Sequence, residues 1–156
     1  MKKIIIGIAI LILLIGIVYA AENIKPFQTP YNTTGKLNIG DGIIPDETGV
    51  NEGTQVLAFS DGFNKCYFIS TNKDNANDLI KTIESGTKCR DGDIVYYHLE
   101  DKELTNAFGA WGTHLKLKTT DSMDVGYLES PNSEEVIIVV AGPDTIVDCL
   151  KSIKWG

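Results

Sequence analysis

Val136-Ile137-Ile138-Val139-Val140-Ala141 is an unbroken apolar run, preceded by Glu134-Glu135 and followed by Gly142-Pro143. It does not alternate, so it lacks the pattern of a strand with one wet face. It reads instead as a central strand covered on both sides. A sheet built around such a strand needs a packed layer on each face.

Working outward, Gly142-Pro143-Asp144 opens a helix whose apolar stripe is Ile146, Cys149, Leu150 and Ile153. Ala76, Leu79, Ile80 and Ile83 recur at helical spacing, with Asn75 and Asp78 as a capping-box-like start and Gly86 as the stop. A further helix is expected over Lys102–Trp111, weakened by Gly109. Val56–Ser60, Asp61-Gly62 and Phe63–Ile69 read as a hairpin, because Asp-Gly between apolar runs favours a type I′ turn. Ile94–Leu99, His114–Thr120 and Val125–Leu128 read as further strands. The expected class is α+β: a mixed sheet of about six strands, in the order β β α β α β β β α, with three packed helices.

Two lysines and then eighteen uncharged, mostly apolar residues, Ile4 to Ala21, begin the sequence. As a helix this run is about 27 Å long, close to the ~30 Å hydrocarbon core of a bilayer. Residues 1–21 are expected to be a membrane anchor or a signal peptide; Val18-Tyr19-Ala20 would permit cleavage after Ala20 and secretion. Lys2 and Lys3 keep the N-terminus inside and place the rest of the chain outside the cytoplasm. Residues 22–54, with Pro26, Pro30, Pro45 and five glycines, are expected to be a stalk, and 55–156 the exported domain.

Residues 22–156 keep 12 of the 14 basic and all 21 acidic side chains, for a formal charge of −9. Such a surface repels nucleic acid and favours cations or basic partners. Outside the cytoplasm disulfides are permitted. If the strands bearing Cys66 and Cys89 run parallel about the crossover helix, the two fall at one end of the sheet. A Cys66–Cys89 bridge is therefore expected, with Cys149 left over as a buried thiol. Asn32-Thr33-Thr34 is a glycosylation sequon.

Asp74, Asp78, Asp91 and Asp93 are candidate calcium ligands, although neither register through Asn72 or Asp74 satisfies the EF-hand spacing. Phosphate-loop, serine-hydrolase and zincin spacings are missing, and no catalytic residue is assigned. The expected function is a non-enzymatic envelope module that binds a protein, a wall component or a cation. The alternative is a small secreted enzyme with a thiol- or carboxylate-based site assembled from loops. A calcium site predicts a melting temperature that rises with excess calcium and falls with chelator; an unmoved transition in a thermal scan removes calcium from the description.

Overall fold

The computed structural model describes residues 24–38, 44–51, 54–60, 65–100 and 123–156. The expected membrane segment (4–21), the helix over 102–111, the strand over 114–120 and the Asp61-Gly62 turn lie outside the described residues. Nine strands and two helices are described: β1 (Ile24–Gln28), β2 (Thr34–Asn38), β3 (Ile44–Asn51), β4 (Thr54–Ser60), β5 (Lys65–Asn72), α1 (Lys73–Glu84), β6 (Thr87–Asp91), β7 (Ile94–Leu99), β8 (Met123–Glu129), β9 (Glu135–Ala141) and α2 (Ile146–Lys151). β1 and β2 form a separate hairpin, and the other seven make one sheet in the order β3-β4-β5-β9-β8-β7-β6.

The class is α+β. The sheet is not mixed: every strand pair is antiparallel. β9 lies at its centre, and all seven of its residues are buried. Val136, Ile138 and Val140 face one apolar cluster with Ala76, Leu79 and Ile83 of α1. Ile137, Val139 and Ala141 face the other, with Phe27 of the hairpin and Ile146, Cys149 and Leu150 of α2. Period-two geometry thus divides a single apolar run between two cores.

α1 forms where the apolar spacing places it, but its cap is one turn earlier than expected. Asn72 is extended (φ −89°, ψ 165°), and its side-chain oxygen accepts the Asn75 backbone N–H at 2.9 Å. Gly86 follows because a Cβ there would lie 2.3 Å from Leu99 Cδ2. α2 has only six residues and sits directly on the sheet. Gly126 on β8 makes room for it, since a Cβ at that position would lie 2.3 Å from Leu150 Cδ1.

The segment expected to be a stalk is largely folded. It contains β1, β2 and β3, the last forming one edge of the sheet. The Phe27 ring packs on Phe68 of β5 with centroids 3.7 Å apart. Gly35, opposite Phe27 across the hairpin, is a packing glycine: a Cβ would stand 2.1 Å from Phe27 Cζ. Residues 152–156 run alongside β2. Thr34 and Lys154 exchange backbone hydrogen bonds of 2.8 and 2.7 Å, and the Lys36 N–H donates to Ser152 Oγ at 2.8 Å.

One ionisable group joins the hairpin to the sheet. Glu135, at the start of β9, is 0 % exposed. Its two carboxylate oxygens accept hydrogen bonds from Thr33 Oγ1 (2.5 Å) and Ser70 Oγ (2.7 Å). None of the ion pairs among the described residues involves it. The burial cost of this polar group is offset by the two hydroxyl bonds. Replacing Thr33 by Val should therefore cost about 2 kcal/mol and Glu135 by Ala about 3 kcal/mol or more. Urea unfolding with an unchanged m-value is the check, and a midpoint unmoved by both substitutions would show the cage to be energetically idle.

Candidate functional site

Three places bring chemistry-bearing side chains together. The first is an open groove of about 590 Å³ where the hairpin meets residues 152–156. Pro26, Phe27 and Gly35 supply apolar lining; Gln28, Thr34 and Ser152 supply neutral polar groups; Lys36 and Lys154 supply the charge. Alternation along the hairpin explains the lining: Phe27 and Gly35 point inward, while Pro26, Gln28, Thr34 and Lys36 are exposed. The β-bridge between Thr34 and Lys154 places the two lysine-bearing segments side by side. This is a positive spot on a chain of net charge −7.

The second place is on the α2 side of the sheet, toward the β6 edge. His98 of β7 lies opposite Asp124 of β8, and its Nδ1 is 2.7 Å from Asp124 Oδ1. The Asp124 side chain is only 5 % exposed, whereas the histidine is one-third exposed. A proton on Nδ1 would be held by the Asp124 carboxylate, which fixes the ring and leaves Nε2 as its outer nitrogen. Nε2 lies 3.8 Å from Glu100 Oε1. Cys89, opposite Tyr96 on the same face, directs its thiol to the Thr87 carbonyl at 3.6 Å. The His98–Asp124 pair holds the parts of a proton-transfer dyad, but its second nitrogen is turned toward Glu100 rather than toward the thiol.

The third place is the contact between β5 and α2, where Cys66 and Cys149 are both 1 % exposed. The hydrogen bond to Cys149 and then burial hold the Cys66 thiol well above the usual range. The expected Cys66–Cys89 pairing is not present, and none of the three cysteines is in a disulfide. Cys66 lies on β5 and Cys89 on β6, with β9, β8 and β7 between them. Four inter-strand spacings are ~19 Å, against the ~7 Å limit for bridged Cα atoms. The two strands do point the same way, but the helix between them crosses three strands rather than joining neighbours.

The remaining candidates are dispersed. Asp74 and Asp78 are exposed on α1, and Asp78 pairs with Lys81 at 3.1 Å. Asp91 and Asp93 flank Gly92, whose φ of +59° makes the β6–β7 turn. Among the described residues no group of three or more His, Cys, Asp or Glu side chains is placed to hold a metal ion. Asn32 is exposed in the β1–β2 turn at φ +63°, and its side chain accepts from Gln28 Nε2 at 3.3 Å. Sequence reasoning missed the His98–Asp124 pair, the Glu135 cage and the two groove lysines. Only Glu135, a charge at the threshold of the central apolar run, carried a signal that could have been read.

Tyr127 of β8 donates its hydroxyl to Glu84 of α1. Burial first, then that bond and the Glu84 charge, raise the phenol's pKa. A group whose pKa is raised on folding stabilises the fold fully below its unfolded value, ~10 for tyrosine, and loses that contribution as pH climbs beyond it. Stability should thus hold up to about pH 10 and fall above it, and Tyr127→Phe should flatten part of that fall. Urea midpoints taken from pH 8 to 11 on both proteins test this; parallel curves would remove Tyr127 as a cause.

Comparison of the chain with protein-family models, curated proteins and solved structures finds no match.

Proposed function

We propose that this chain is an extracytoplasmic binding module, held at the membrane by residues 4–21 or secreted after cleavage at Ala20. The observation that carries the reading is the groove between the hairpin and residues 152–156. Its apolar floor, hydroxyls, amide and two lysines are groups that hold a ligand rather than transform one. The lysines select an anionic group on an envelope protein or wall component. Asn32, in the neighbouring turn, is the candidate glycan site.

The position of β1 refines the layout. Only residues 22 and 23 separate Ala21 from the hairpin, a span of about 7 Å at full extension. With the anchor retained, the folded domain and its groove stand next to the bilayer rather than on a long stalk.

A second reading, a small secreted enzyme, is favoured by one observation, the His98–Asp124 pair. It would use the imidazole as a general base on a substrate bound beside the β6 edge.

The readings separate in one experiment. Wild-type chain and the Lys36→Glu/Lys154→Glu double variant are incubated with the envelope fraction of the native host. The binding module predicts at least a tenfold loss of retention in the double variant, with unchanged circular dichroism. Equal retention removes the groove. Release of a small product by wild type but not by His98→Ala establishes the enzyme instead.

A further inference from the structure

Cys66 and Cys149 are more than eighty residues apart in sequence and meet in one apolar cluster. Cys66 faces the α2 side from β5 beside Phe68, and Cys149 lies on the inward side of α2 next to Leu150. Both are 1 % exposed and free, and Cys149 is the neighbour that acts first on the Cys66 thiol. α2 is too short to be stable by itself and is held where it is by side-chain packing. Two buried thiols that share that cluster, one on each side of the packing, are the natural place for a covalent tie.

We propose that Cys66 and Cys149 close a structural disulfide when the chain folds under oxidising conditions, pinning α2 to the centre of the sheet. The oxidant is a disulfide, either glutathione disulfide or a disulfide-donating protein. One cysteine thiolate attacks it, forming a mixed disulfide and expelling the first thiolate. The second cysteine, as thiolate, attacks the protein sulfur of that mixed disulfide, forming the S–S bond and expelling the second thiolate. Each protein thiol loses one proton, two electrons leave the pair, and the oxidant leaves as two thiols. Closure belongs to the folding reaction, before the two sulfurs are sealed under α2, because the folded pair is buried. Cys89, partly exposed on the edge strand β6, stays outside the bridge and remains the reactive thiol. In the cell, the oxidising setting rests on the export reading above. The chemistry itself does not, so failure of one leaves the other standing.

The test refolds the full-length chain from urea into detergent with a mixture of glutathione and glutathione disulfide. Remaining thiols are capped with N-ethylmaleimide, and the unreduced digest is examined by mass spectrometry. The expected product is a linked peptide pair containing Cys66 and Cys149, with a single maleimide on Cys89. Cys89→Ser should keep the link, and reducing it should lower its melting temperature by on the order of 10 °C, given the length of the closed loop. A bridge that includes Cys89, or three labelled cysteines in protein with the native circular dichroism spectrum, overturns the proposal.

Discussion

A strand with no polar face cannot stand at a surface, and that constraint organises this molecule. β9 brings seven buried residues into the middle of the sheet, so each face has to be roofed. α1 roofs one side with a single stripe. The other side has no long helix available among the described residues. It is closed by two smaller pieces, the six-residue α2 and the β1–β2 hairpin, which share one apolar cluster. Two of the three places described on that side follow from this division: the groove lies where the hairpin meets the segment after α2, and the two buried cysteines lie in the cluster that α2 shares with the sheet.

Among the described side chains of the hairpin, Phe27 on Phe68 is the apolar contribution. Glu135 adds a directional attachment. A buried carboxylate with two hydroxyl donors fixes the height and rotation of the piece that supplies one of them, Thr33, in a way that apolar contact alone does not. Lys154 and Ser152 add backbone-directed bonds along β2. The roof on this side is therefore positioned by polar bonds and filled by apolar ones.

These relations show why some of the architecture was legible in the sequence and some was not. β9 and α1 could be read because their apolar periods are set by what they bury, and both were placed within a few residues. The hairpin was misread because Pro26 and Gly35 look like linker residues. Gly35 is there to admit the Phe27 ring, a reason visible only once the two strands are paired. Strand direction was not legible either. A helix after β5 suggests a parallel neighbour, whereas α1 passes over three strands to the far edge. The candidate site suffered most: His98 and Asp124 are matched by register across β7 and β8, and no local spacing encodes that register.

The bridge between Thr34 and Lys154 joins segments from near the two ends of the described chain, and the central strand itself is among the last elements in sequence. Contacts of such long range slow folding, because the loop must be closed before the pairing rewards it. During synthesis, β3, β4 and β5 can pair with one another, but the second edge of β5 stays unpaired until β9 follows. For that interval the nascent sheet has an open apolar edge and invites wrong pairing. A chain with this order of elements gains from being held unfolded until β9 has emerged, because only then can β5 find its second neighbour.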